Sequence, residues 1–549
     1  VSRSASLNSP ARLGSMLSWR RRVSLPAPGR HKGRIPEWHT ETRTDIRTVV
    51  QHAVGAGPPH TTCCDETDTG AVDAQPPELR AMSRAPQSGS KDLAPVGECK
   101  RCPLLLCGLG GPTMFIKGPF KTVIDVSSGN LHSAGIKPLT FVRQVFAACL
   151  YPQLIKSNKL PADVKQRAQA LLEECAGGSV GSYTPTRGIP EVIHRISQFI
   201  TWRDKGAASN PENIYLTPGS QWNILKILVN RLASPGTGIL TPVPCYSTSI
   251  LSMNLLGAIL VPYYLDEENG WELHVQELHR ALASAKGVCN PRAVYIINPG
   301  NPVGQVQSKK SMQEVIQFVY EKRLILLADE VYQDSIYTGN STFYSYRKVL
   351  SEMGPPFSDT VELASFHSVS KGFIGECGLR CGYVELVNLD PSLKDYIYKL
   401  FSKDSCAPVL GQIAMDLMTN PPQPGDPSYS LYEAVSTETL PCVSHHPVNG
   451  GAFLFPKIDL PTKAVQKAKV VKLNKHQQPD TFYCYRLLEE TGVYACPGSE
   501  YGQAAGSHHI RVCTLISRDV MEELLTRLSK HNLSLAHLRA LEYSLLVSH

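Results

Sequence analysis

Long apolar runs, an internal repeat, a cysteine framework and, near the start, acidic side chains are all missing from this sequence of 549 residues. No stretch approaches the ~18 uninterrupted apolar residues of a spanning helix, so no membrane protein is expected. Without a repeat period, solenoids and arrays fall away. The 16 cysteines are unevenly scattered and no secretory apolar segment precedes them. Buried, reduced thiols in an intracellular compartment are therefore expected rather than disulfides. Cys99 and Cys102, with Cys107 nearby, supply half of a zinc site. No second ligand pair stands at a suitable spacing, so ordinary thiols are the preferred reading and no metal is expected. Residues 1–36 contain eight Lys/Arg and no acid, while the whole chain carries 55 basic against 48 acidic side chains. Everything after that start is thus near neutral, which argues against a nucleic-acid binder.

What is present divides into a leader and a globular part. Residues 1–115 are rich in Ser, Arg, Pro and Gly, poor in periodic apolar positions, and predicted to be largely disordered. The basic beginning, around Met16 to Arg22, has the composition of an organellar transit peptide and equally of a basic leader with no address. From about Val123 short apolar runs alternate with amphipathic helices. The runs are Asn213–Leu216, Gly238–Thr241, Ala258–Tyr264, Ala293–Asn298, Leu324–Asp329, Val361–His367 and Gly382–Val387. Helices are predicted over Pro161–Cys175, Pro190–Arg203, Gln221–Leu232, Val275–Ala285, Lys309–Lys322, Tyr396–Leu417 and Asp519–His531. Such alternation predicts an α/β fold with a doubly wound, mostly parallel sheet and a smaller α+β domain. The expected division is 116–205 as the N-terminal part of the small domain and entry to the large one, 206–395 as the large domain and 396–549 as the C-terminal small domain.

In sheets of this kind ligands bind beyond the carboxyl ends of the strands, where the reactive side chains of this sequence fall. Lys371 lies in Ser368-Val369-Ser370-Lys371-Gly372, just past one apolar run. Asp329 ends Leu324–Ala328, a run apolar enough for a central strand, where a carboxylate is costly without a partner. A pyridinium nitrogen is one such partner; a helix cap at a strand–helix junction is the other reading. Tyr332 follows three residues on, and Asn301 sits in a proline-fixed turn. Gly219, Ser220 and Gln221 occupy a strand–helix junction whose free N–H groups suit a phosphate, although Ser220 could equally be an N-cap. Ser368, Ser370 and Arg380 add two hydroxyls and a guanidinium. Tyr246 could lie flat on an aromatic ring or simply pack. Arg511, on an alternating segment, could take a carboxylate bidentately or belong to an ion pair. An amine, a buried acid, a phenol, an amide and two guanidinium groups are what a lysine forming an imine with pyridoxal phosphate requires.

The ordered motifs resemble the fold-type-I pyridoxal-phosphate aminotransferases, most closely the alanine-aminotransferase branch and its mitochondrial form. The likeness rests on Tyr264–Asn269, Asn298–Gln307, Leu327–Asp334, Ala364–Tyr383 and Arg486–Gly492, and it begins at about Phe120. It implies that Lys371 is the imine lysine and proton shuttle, and that Asp329 pairs with the ring nitrogen. Asn301 and Tyr332 would hold the ring hydroxyl, and Tyr246 would stack on the ring. Ser220, Ser368, Ser370 and Arg380 would hold the phosphate, with Tyr183 reaching it from a second subunit of a homodimer. Arg511 would take the amino-acid carboxylate. The sequence departs from the branch at Gly219-Ser220-Gln221-Trp222, where Gly-Ala-Ser-Asp is usual, and at Tyr246-Ser247-Thr248-Ser249, where Tyr-Pro-x-Tyr is usual. Val303, Cys381 and Asn130 are further departures. Helical segments expected before about Lys121 and between Ala434 and Pro441 are largely missing.

The resulting expectation is exchange of an amino group between L-alanine and 2-oxoglutarate, giving pyruvate and L-glutamate. A kynurenine or 2-aminoadipate specificity, an inactive homologue, and an aminotransferase-like DNA-binding regulator are the alternatives. The last ranks lowest because no recognition helix is visible. The expected partners are small amino and 2-oxo acids, with neither nucleic acid nor membrane. A mitochondrial location is expected, with the cytoplasm as the alternative.

Overall fold

The computed structural model describes residues 120–221, 236–337, 341–439, 449–458, 460 and 478–529. The basic leader, Cys99 to Cys107, Trp222 and most of the helix expected after Gln221 lie outside the described residues. All seven apolar runs become strands of one sheet: β2 (Ile214–Thr217), β3 (Thr237–Val243), β4 (Ile259–Tyr264), β5 (Asn290–Ile297), β6 (Ile325–Asp329), β7 (Leu363–Ser368) and β8 (Gly382–Val387). A two-residue strand, β1 (Ile124–Asp125), precedes them. The order across the sheet is β2-β8-β7-β6-β5-β3-β4. Strands β3 to β7 pair in parallel, and β8 runs antiparallel to both of its neighbours. The central strand β6 is buried at every position, as a run covered on both faces must be.

Helices cover the two faces. Val275–Ser284 and Lys309–Lys322 pack on one core with Leu240, Val294 and Leu326, whereas Ile239, Tyr295 and Leu327 point into another. A separate helical core joins Thr140–Leu150, Ala162–Glu173, Pro190–Arg203 and Val409–Thr419. Asp416 is buried there because Arg195 and Arg167 reach its two oxygens at 2.7 and 3.3 Å. One predicted helix is corrected. Tyr396–Leu417 is two helices, Pro391–Ser402 and Val409–Thr419, separated where Ser405 takes a positive φ and Pro408 caps the second.

The C-terminal part carries β9 (Phe453–Leu454), β10 (Val493–Tyr494), β11 (Cys496–Pro497) and β12 (Ile510–Cys513). The antiparallel order is β11-β12-β9, and β10 pairs in parallel with β1. Helices Pro479–Thr491 and Arg518–Ser529 pack against these strands, the first ended by Gly492 in the left-handed conformation. Val331, Tyr332 and Tyr337, just beyond β6, share that core. Strand β12 is thereby held facing the carboxyl ends of the large sheet. No helix among the described residues is long and apolar enough to cross a membrane.

Candidate active site

Reversal of β8 assembles the first half of the site. Its first residue, Gly382, is registered opposite both Thr217 at the end of β2 and Ser368 at the end of β7. Arg380 therefore arrives beside both exits. Its Nη1 donates to the Cys377 carbonyl at 2.9 Å and its Nη2 to that of Pro218 at 3.2 Å. A Cβ at Gly219 would lie 2.8 Å from Nη2, and φ there is +111°, so only glycine lets the guanidinium lie along this turn. Ser220 and Gln221 open a helical turn immediately after it. The Ser368 hydroxyl donates to the Cys381 carbonyl at 3.0 Å and accepts the Ser370 amide at 3.1 Å. A helix start, hydroxyls and a guanidinium gathered at these strand exits form a cradle for a phosphate. Cys381 does not crowd it: the thiol is buried in the helical core, and burial pushes it up to about 12.

The second half gathers Lys371, Asn301, Tyr332 and Arg511. Lys371 Nζ donates to the Gly129 carbonyl at 3.1 Å and lies 5.9 Å from the centre of the Tyr332 ring. Burial lowers the affinity of this amine for its proton; Arg511 acts in the same sense, while Cys513, Cys377 and Asp329 oppose it. That is the direction a nucleophilic amine needs. A Cβ at Gly129 would sit 2.8 Å from Nζ and 3.0 Å from Phe453 Cζ, so glycine leaves the lysine its room. Asn301 donates from Nδ2 to the Tyr332 hydroxyl at 3.3 Å and accepts Arg511 Nη1 at 3.4 Å. Arg511 also donates to the Ser127 carbonyl. Its guanidinium carbon lies 4.0 Å from the centre of the Phe453 ring and 4.6 Å from that of Tyr501. A planar cation clamped between two rings presents a fixed fork to a carboxylate.

Asp329 closes the floor. It is 3 % exposed, and burial raises its carboxyl to about 6 against the pull of Tyr295, the Val331 amide and Lys371. Oδ2 accepts the Tyr295 hydroxyl at 2.9 Å, while Oδ1 has no hydrogen-bond partner among the described residues. An orphaned buried carboxylate oxygen is the feature that a protonated ring nitrogen would satisfy. Tyr246 is half-buried at the start of the helix Ser247–Leu255, close enough to Tyr332 to affect its ionisation. Two predicted residues stand differently from the rest. Gln221 turns its amide away to donate to Ser249 at 2.9 Å, and Tyr183 is 81 % exposed with no hydrogen bond to these side chains. Sequence reasoning gave no role to Tyr295, Gly129, Phe453 and Tyr501, and read Ser249 only as a departure from its branch. Gly129 and Ser249 had a local signal, whereas Tyr295, Phe453 and Tyr501 look like ordinary packing residues.

This arrangement has counterparts. The family described as aminotransferase class I and II matches residues 151–426. Alanine aminotransferase 2 of Xenopus tropicalis is 45 % identical over 433 residues, covering 75 % of this chain and 82 % of its own. Alanine aminotransferase 1 of Homo sapiens is 42 % identical over 449 residues, covering 78 % and 89 %. Among solved structures, the alanine aminotransferase of Pyrococcus furiosus superimposes with a TM-score of 0.56 at 20 % identity, over 74 % of this chain and 92 % of that one, a likeness of fold. With its sheet, its strand-end lysine and these relatives, the chain belongs to the class I and II aminotransferases.

Proposed function

We propose that this aminotransferase exchanges an amino group between L-alanine and 2-oxoglutarate, with pyridoxal phosphate as its cofactor. The observation that carries the reading is the placing of Lys371 Nζ, the orphaned Oδ1 of Asp329 and the clamped Arg511 around one site at the strand ends. The names of the relatives support alanine as the donor. The residues fit the cofactor: Ser220, Ser368, Ser370 and Arg380 would hold its phosphate, Asn301 and Tyr332 its ring hydroxyl, and Asp329 its ring nitrogen. When bound, pyridoxal phosphate supplies an aldehyde that accepts amino groups and a ring that takes up an electron pair. Lys371 Nζ would be its attachment point and the base that carries the proton of the substrate α-carbon. Arg511 would hold the α-carboxylate of the amino acid. Tyr183, exposed on the free subunit, would complete the phosphate site of a partner, which supports a homodimer. The acid-free basic start supports import into mitochondria, and the division at 206–395 and 396–549 would put the cofactor in the first part and Arg511 in the second.

Purified full-length chain, supplied with pyridoxal phosphate, L-alanine and 2-oxoglutarate, should form pyruvate and glutamate in equal amounts. Turnover with kynurenine or 2-aminoadipate but not alanine would overturn the substrate. No turnover with any donor would overturn the activity.

A further inference from the structure

Behind Asp329 runs a line of polar side chains, buried at Tyr295 and Ser249 and half-buried at Gln221, that transamination as described above does not use. Gln221 Nε2 donates to Ser249 Oγ at 2.9 Å, Ser249 Oγ lies 2.9 Å from Tyr295 Oη, and Tyr295 Oη donates to Asp329 Oδ2 at 2.9 Å. The direction of the line is fixed by its ends. An ionised carboxylate only accepts, so the tyrosine proton goes to Asp329 and its oxygen must take the serine proton. The serine oxygen is then left to accept from the amide nitrogen. Turning the amide over would leave the two hydroxyl oxygens facing each other without a proton between them. Ser249 and Tyr295 are fully buried, so water does not compete. The phenol keeps its proton, because burial raises it well above its ordinary range.

Resting on the proposed cofactor, we propose that Gln221, Ser249 and Tyr295 form a one-directional hydrogen-bond relay that locks Asp329, with Oδ2 tied and Oδ1 alone offered to the ring nitrogen, making Tyr295 a positioning residue for transamination. The two members farther from Asp329 lie where the sequence departs from its branch, Gln221 in the phosphate turn and Ser249 after Tyr246. The departures thus build a support for the carboxylate rather than merely removing one for the phosphate. The titratable groups facing Asp329 are Tyr295 from β5, Cys245 after β3, Tyr332 beyond β6 and Lys371 after β7. Tyr295 is the one among them that the structure shows hydrogen-bonded to its carboxylate.

The test uses full-length Tyr295→Phe, Ser249→Ala and their double variant, with pyridoxal phosphate titrated by fluorescence and the bound cofactor's absorbance followed against pH. Tyr295→Phe should weaken cofactor binding roughly tenfold (~1.4 kcal/mol) and shift the absorbance titration. It should lower kcat while leaving the KM for alanine nearly unchanged. Ser249→Ala should lose about threefold, and the double variant should be no worse than Tyr295→Phe alone, as expected when one line is cut twice. A purely structural role would lower Tm and leave the absorbance titration in place, which overturns the proposal. So would additive losses, or affinity within about twofold of wild type in Tyr295→Phe. If Tyr295→Phe does not fold, Ser249→Ala decides: unchanged affinity and titration overturn the relay. Wild-type protein that takes up no pyridoxal phosphate overturns the relay and the proposed function together.

Discussion

Replacing Asp329 by Asn should stabilise the apoprotein while slowing the enzyme, and the size of the first effect follows from the site. Burial raises this carboxyl from 3.8 to about 6 in the folded chain. A folded value above the unfolded one means that the folded state binds the proton more tightly. The group therefore costs nothing below pH ~3.8, and its cost grows up to about pH 6 and then stays constant. At ~1.36 kcal/mol per pH unit, the gap corresponds to about 3 kcal/mol above pH 6. Asn keeps an oxygen for the Tyr295 hydroxyl and carries no charge to desolvate. Urea denaturation of wild-type and Asp329→Asn apoprotein at pH 7.5 and again near pH 4 would measure the difference. The variant should be more stable at pH 7.5 and about equal near pH 4. Equal stability at pH 7.5 would show that the carboxylate is well solvated, which would remove the reason for it to await a cationic ring. With cofactor, the same variant should lose at least ~100-fold in the deprotonation step, since a charge-stabilising partner in a dry site is commonly worth roughly 3 kcal/mol.

Other substitutions probe the remaining parts. Arg511→Gln leaves the Phe453 and Tyr501 clamp without its cation. It should raise KM for alanine and for 2-oxoglutarate by roughly 100-fold, as loss of a charge-assisted buried pair costs several kcal/mol; steady-state kinetics with both substrates would show it. Gly219→Ala puts a methyl group 2.8 Å from Arg380 Nη2 at a φ of +111°. Cofactor affinity, read by titration, should fall, and the folding midpoint should fall as well, because a Cβ at this φ stays strained even when the exposed Arg380 swings away.

Much of this design was legible because the large sheet is buried on both sides. Each of its strands announced itself as a short apolar run, and Asn301, Asp329 and Lys371 stood out as polar residues at the ends of such runs. What stayed hidden has physical reasons. Strand β1 is two residues long, too short for any periodicity, and is defined by its pairing with β10 across the chain. Tyr295 sits in Ala293-Val294-Tyr295-Ile296-Ile297, where an aromatic residue in a buried strand looks like packing; its hydroxyl gains meaning only from Asp329, 34 residues away. Phe453 and Tyr501 clamp Arg511 from separate segments, so no local spacing marks them. The reading of Tyr396–Leu417 as one helix followed apolar periodicity through Pro408, which instead begins a second helix.

The central claim, that Lys371 is the residue that holds the cofactor, has a direct measurement. Holoprotein is reduced with borohydride, digested, and its lysine-containing peptides are weighed by mass spectrometry, beside Lys371→Ala treated identically. The pyridoxyl mass should appear on the peptide containing Lys371 and be absent throughout the variant, which should also lose its visible absorbance on dialysis. Label on another lysine, or wild-type labelling in Lys371→Ala, would contradict the account.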